Sequence, residues 1–263
     1  MFELIKEDLF TIIKKKRFIV MTAILFVAAV GFGIYTKIHY MNNVMFLVDM
    51  RSFLKYVFDP VMGIALIISV YHVKYTKFCI EQVEEKGLKR YANIVSKFVS
   101  GSVIIICVYA LLCILMLFLG LVLGAHLTGY DTETLVLMLF WDCIGAIGLY
   151  ALALFFLTLF AFPVFPAILY TAISIAAPIV LGRISWMDEI RSVRFITAKC
   201  LSEVLFTGAV FGDVSVVLVI ALIVETAIPL LFSLLVFKLK KIRVKKSKIV
   251  LEKSEEPVVF KES

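Results

Sequence analysis

The sequence predicts an all-α integral membrane protein of about six transmembrane helices, with an amphipathic interfacial helix in front and both termini in the cytoplasm. Three observations predict it. Apolar residues make up 62% of the 263 positions, against roughly 45–50% in a soluble domain. A soluble chain of this size still exposes about a quarter to a third of its unfolded surface, so it could not hide that excess, whereas a bilayer can. The charged residues, 18% of the total, stand in clusters with long uncharged runs between them. The basic residues, finally, fall unevenly on the two sides of those runs.

Residues 1–17 come first. At about 100° per residue, Phe2, Ile5, Leu9, Ile12 and Ile13 share one stripe, with Glu3, Glu7, Lys14 and Lys15 opposite. Such a helix lies in the interface plane, either as an anchor for the first span or as a part of energy coupling. Crossing roughly 30 Å of hydrocarbon takes about 20 apolar residues. Residues 18–35 are the first such run, and 57–73 the second and shorter one, containing Asp59-Pro60. No charge interrupts 98–130, which places a third span over 103–123. Between 134 and 182 the one charged residue is Asp142. That stretch suits two spans, 135–159 and 166–181, broken by Pro163 and Pro166, since proline interrupts the helical ladder. The sixth span is 214–237 and contains Glu225. Together they form a transmembrane domain over 18–237, followed by a basic tail over 238–263.

Orientation follows from Lys and Arg placement. With this set of spans, 20 of them lie on the side of the two termini and of the 74–97 loop, and seven on the other. The heavy side is the cytoplasm, so the chain is expected to be a multi-pass protein of the plasma membrane. The loop over 74–97 is long for a helix–helix connection, which usually takes about 2–8 residues. It carries Phe78, Glu84, Glu85, Leu88, Lys89 and Arg90 around Gly87, which breaks it as a step between two short helices would. Segment 183–213 alternates apolar and charged residues and reads as an outer amphipathic stretch, with Trp186 suited to headgroup depth.

Several functions are excluded or disfavoured. The basic balance, +7, is explained by cytoplasmic flanks and not by nucleic acid, for no basic stretch is interleaved with aromatics in a soluble context. The five cysteines form no C-x-x-C pair and, with three scattered histidines, suggest neither zinc nor a disulfide framework. Run 18–35 is too long for a signal-peptide core and no A-x-A site closes it. No G-x-S-x-G elbow occurs, no channel filter loop, and none of the 13 glycines is followed by lysine, so no phosphate-binding loop is present. No catalytic, cofactor or metal site is expected in this chain. Ionisable residues inside spans are functional candidates, because burying them costs several kcal/mol. Asp59 and Asp142 read as lying toward the outer ends of their spans, where water or snorkelling satisfies them. Glu225 sits near mid-span, and a structural hydrogen bond to a neighbouring helix stands beside a role in a path.

Three features then carry a resemblance. MFELIKEDLFTIIKKKRF runs straight into the first span; EEKGLKRYANIVSKFVSGSVI follows the second; and an amphipathic segment separates the fifth from the sixth. This layout resembles the membrane-spanning subunit of an ABC-2 type (type V) ABC transporter. Glu84, Glu85, Gly87, Leu88, Lys89 and Lys97 match that family's loop pattern, although Leu88 stands directly after Gly87 where a threonine often comes first. The resemblance implies a second membrane subunit, identical or homologous, and two separate ATPase subunits that hold ATP and Mg. It also implies export of an amphipathic cargo, such as a peptide, drug or lipid, by alternating access. Two other classes remain on this reading: a membrane scaffold that presents a partner, and an ion-coupled transporter using Asp59, Asp142 and Glu225.

Overall fold

The computed structural model describes residues 1–39, 53–71, 87, 91–123, 129–160, 164–184 and 216–239. Among these, every regular element is helical. Helix α1 is Phe2–Ile13 and α2 is Lys16–His39. A π-helical turn, Leu54–Phe58, leads into α3, Asp59–Tyr71. Then come α4, Ala92–Val122, α5, Gly129–Phe160, α6, Val164–Ile184, and α7, Val216–Leu239.

Four of these helices are long and apolar enough to cross a membrane, namely Lys16–Thr36, Ala92–Val122, Thr132–Phe160 and Val219–Val236. Two shorter apolar helices, Tyr56–Val70 and Val164–Ala176, accompany them. This is a helical membrane protein. Each of the six expected spans falls on one of these helices, but the boundaries move. Helix α4 begins at Ala92, so Ala92–Lys97, read above as the end of the cytoplasmic loop, are its first turns.

Each helix has a physical reason for its surroundings. Helix α3 is largely enclosed: Met62, Ala65, Leu66, Ile67 and Val70 are buried, and Val61, Ile64 and Ile68 are half-buried, as expected of an apolar helix packed inside a bundle. Helix α2 shows one buried seam, Phe18, Leu25, Ala29 and Thr36, at helical spacing. Other apolar residues of this helix, including Ile24, Val27 and Ile38, are exposed, as on a helix with an apolar outer surface. The π turn directly precedes Asp59-Pro60. Proline supplies no N–H to the ladder, and a widened turn is a common way for a helix to absorb such a break.

In lipid, apolar surface gains little by moving from acyl chains to another helix, so close packing and polar contacts hold the helices together. Two tyrosine seats serve this purpose. Tyr150 of α5 lies on the backbone of α4 at Gly101, where a Cβ would come within 2.4 Å of its ring. Its hydroxyl donates to the Lys97 carbonyl at 3.0 Å. Tyr170 of α6 lies on α3 at Gly63, where a Cβ would meet its ring at 2.0 Å. Both rings are wholly buried, and glycine is required under each because nothing larger fits.

Candidate functional site

Two polar constellations stand out, one at the end of the bundle where α1 meets α3 and α4, and one inside it. The first begins with the sequence of α1. Its enclosed line is Leu4, Asp8 and Ile12, one residue per turn, and this corrects the expected stripe. Ile12 is buried, but Phe2 and Ile13 are exposed and Ile5 and Leu9 only half-covered. The helix has two apolar surfaces, one toward protein and one toward lipid. Periodicity merges them into a single stripe.

Asp8 lies at the centre of the protein-facing line. It accepts a hydrogen bond from Ser96 Oγ at 2.6 Å and an ion pair from Lys97 Nζ at 3.3 Å. One turn on, Ser100 Oγ donates to the Ile5 carbonyl at 3.1 Å. Asn93, Ser96, Lys97 and Ser100 form a fully buried polar stripe on the first two turns of α4, at the i, i+3, i+4, i+7 spacing of one helix face. At the junction between α1 and α2, Lys15 Nζ donates to the Ser69 carbonyl near the end of α3 at 2.6 Å. Burial, and then the Lys97 ammonium, hold the Lys15 pKa below its ordinary value. One short segment therefore grips α3 near its C-terminal end and α4 near its N-terminal end. These are the helices that residues 72–91 connect.

The second constellation lies at membrane depth. Asp59 opens α3 and is 2% exposed; Asp142 on α5 is 4% exposed. Asp59 does stand at the end of its helix, but both side chains are enclosed by protein rather than open to water as expected. Tyr109 of α4, itself buried, donates a short hydrogen bond to Asp59. Asp142 of α5 and Tyr170 of α6 are buried in the same core. Four successive helices thus each bury one of these polar side chains in an otherwise apolar interior. Tyr109 and Tyr170 went unmarked in the sequence because a tyrosine in an apolar run reads as packing. The signal that could have found them is the pairing of lone intramembrane acids with lone tyrosines, since a buried carboxylate needs a donor.

Glu225 stands apart on α7, the least enclosed of the four long helices. It is half-buried, its Oε2 finds no hydrogen-bond partner among the described residues, and its neighbour Thr226 donates to the Leu222 carbonyl of its own helix. The expected bond from Glu225 to a neighbouring helix is therefore not made at Oε2. Pro229, one turn on, removes the N–H that would otherwise bond the Glu225 carbonyl. Of the loop residues, Gly87 takes a left-handed φ of 67°, the conformation glycine adopts where a helix ends or turns. Phe78, Glu84, Glu85, Leu88, Lys89 and Arg90 lie outside the described residues, as do most of segment 183–213 and nearly all of the tail. Among the described residues no group of three or more His, Cys, Asp or Glu side chains converges as a metal site would. Compared with models of known protein families the chain matches none, and no curated protein matches its sequence.

Proposed function

We propose that this chain is the membrane-spanning subunit of an ABC exporter in the plasma membrane. The short helices α3 and α6 complete six spans, and both termini face the cytoplasm. The single observation that supports the reading most is the grip of the N-terminal segment on both helices joined by the cytoplasmic connection. Lys15 holds α3 at Ser69, and Asp8 holds α4 at Ser96 and Lys97. A displacement delivered to the connection by a soluble partner would then reach α1, α3 and α4 together.

On this reading energy enters from two separate ATPase subunits, which bind ATP and Mg and dock on the loop over 74–97. Phe78 and Leu88 are the apolar anchors, and Glu84, Glu85, Lys89 and Arg90 the charged rim; buried anchors supply most of the affinity of an interface and rim charges its register. A second membrane subunit, identical or homologous, completes the pathway. The cargo is amphipathic and is taken from the inner leaflet.

Leu88→Asp is expected to detach the ATPase altogether, and Lys89→Ala to weaken it only slightly, because exposed charges contribute about 0–1 kcal/mol. Co-purification in mild detergent followed by ATP turnover reads both. A fully active ATPase still bound to Leu88→Asp removes the docking assignment, and an unmodified chain that brings down no ATPase favours the scaffold class. Topology has its own check. Cysteines placed at Asn42 and Asp131 are expected to react with an impermeant maleimide on intact cells, and those at Glu84 and Lys246 only after lysis. External labelling at Glu84 would reverse the orientation.

A further inference from the structure

We infer that the first turn of α4 at Asn93 and the basic run over 14–17, where α1 gives way to α2, together form a site for the phosphate headgroup of an anionic membrane lipid. The inference does not depend on the exporter reading.

Register brings the parts together. Ser100 meets Ile5 and Ser96 meets Asp8, so α4 and α1 run antiparallel, and the first turn of α4 stands beside the last turn of α1. There α1 ends and the run Lys14, Lys15, Lys16 and Arg17 begins. Helix α4 opens at Ala92 with no side-chain cap. The leading N–H groups of a helix have no intrahelical partner, and its dipole favours negative charge at that end. A second observation is independent of the helix end. Asn93 is 2% exposed, and its Nδ2 finds no hydrogen-bond partner among the described residues. It shares the face of α4 that carries Ser96 and Lys97, three and four residues on, and that face is the one turned to α1. An enclosed donor without a partner is costly, and what this one lacks is an acceptor.

The charge beside it has the sign that an anion needs. Lys14, Lys16 and Arg17 are exposed and form no ion pair among the described residues. Lys15 is half-buried and donates to a carbonyl, that of Ser69, not to a carboxylate. Burial and the Lys97 ammonium already oppose its charge. Asp8, the acid of α1 that faces α4, is engaged with Ser96 and Lys97. Amide, ammonium and guanidinium donors converging on one place suit a phosphate, whose oxygens accept charge-assisted hydrogen bonds. The surface that continues from this place favours a lipid over a free phosphate. Ile13 before the run and Ile19 and Val20 after it are exposed, and α2 is one of the helices long enough to cross a membrane. A phosphate held here has apolar surface beside it for acyl chains. Basic residues at the end of a span attract anionic lipid in general; the enclosed amide of Asn93 is what turns that attraction into one defined site.

The test uses the full chain in detergent, titrated with phosphatidylglycerol or phosphatidylcholine, with bound lipid counted by native mass spectrometry. One phosphatidylglycerol per chain is expected to bind in a first tight step that phosphatidylcholine lacks. Asn93→Leu should weaken that step about tenfold or more, the usual worth of a hydrogen bond to a charged group. Should Asn93→Leu fail to assemble on size exclusion, Lys16→Gln with Arg17→Gln alters exposed side chains alone and should weaken the step likewise. Lys6→Gln, two turns back on α1, should leave it unchanged. Equal binding of the two lipids would overturn the proposal. So would a phosphatidylglycerol count that rises without a first tight step, unchanged binding in either assembled variant, or an equal loss in Lys6→Gln. Inorganic phosphate that displaces the lipid at equal concentration would make a free anion the occupant. Tighter lipid binding after Glu84→Gln with Glu85→Gln would show that the chain's own carboxylates fill the site. Either result equally overturns it.

Discussion

Replacing Lys97 by methionine is expected to lower the stability of the chain by about 3–5 kcal/mol, the usual cost of removing one partner from a buried ion pair. The side chain of Lys97 is 2% exposed and that of Asp8 10%, so neither charge can turn to water when the other is lost. Asp8→Asn should be the more damaging of the two single changes. It leaves the buried Lys97 ammonium without the Asp8 carboxylate, and Lys97 already helps to hold the Lys15 pKa down. The double variant Asp8→Asn with Lys97→Met should recover a large part of the loss, because a neutral pair leaves no unpaired charge in the interface. Thermal unfolding of the purified proteins in one detergent reads all three. Parental stability in Lys97→Met would mean that α1 is held by its apolar contacts and by the Ser96 and Ser100 bonds without the ion pair. In that case the ion pair would carry no part of the motion assigned to the grip on α4.

Gly63→Val is expected to cost about 1–3 kcal/mol, the range for overpacking a full interior, and to reduce the yield of assembled protein. A Cβ at this position would stand 2.0 Å from the Tyr170 ring, and the ring is fully enclosed, so it has nowhere to retreat. Valine is the informative choice over alanine. Alanine gains up to about 1 kcal/mol of helix propensity over glycine, which would mask part of the steric term. Tyr170→Leu in the same chain should restore part of the loss by removing the ring that clashes. Unchanged unfolding of Gly63→Val in detergent would show that α6 does not rest on α3 through this contact.

How much of this was legible in the sequence depends on the range of the physics involved. The long helices were legible because crossing hydrocarbon is a property of one segment at a time. The uncharged stretch from 98 to 130 can hardly be anything else, and α4 occupies most of it. The break marked by Pro163 and Pro166 was legible too, and α5 ends at Phe160 and α6 begins at Val164 around it. The polar constellations were not. Asp8 is one of three acidic residues in α1, and what distinguishes it from Glu3 and Glu7 is the helix on the other side, 88 positions along the chain from it at Ser96. Placing residues 92–97 in a loop also concealed the stripe of Asn93, Ser96, Lys97 and Ser100, because a helical period is looked for only where a helix is expected. Asp59 and Asp142 were marked as costly, and that was sound. Their burial depends on which neighbours surround them, and composition along one span carries no record of that.

Helices α4 and α5 contain 31 and 32 residues, or about 46 and 48 Å at 1.5 Å per residue, well beyond the roughly 30 Å of a hydrocarbon core. In α4 the surplus is not distributed evenly. The polar stripe ends at Ser100, and the apolar stretch from Val103 to Val122 alone matches one bilayer thickness. The docked N-terminal segment encloses the polar turns of α4 in protein, so lipid of matching thickness would meet α4 beyond them. A bilayer with shorter acyl chains would expose apolar turns of α4 beyond this point, and one with longer chains would press lipid against the segment itself. The resulting hydrophobic mismatch would cost about a fraction of a kcal/mol per ångström, and it would bear on the few bonds by which Asp8 ties α1 to the first turns of α4.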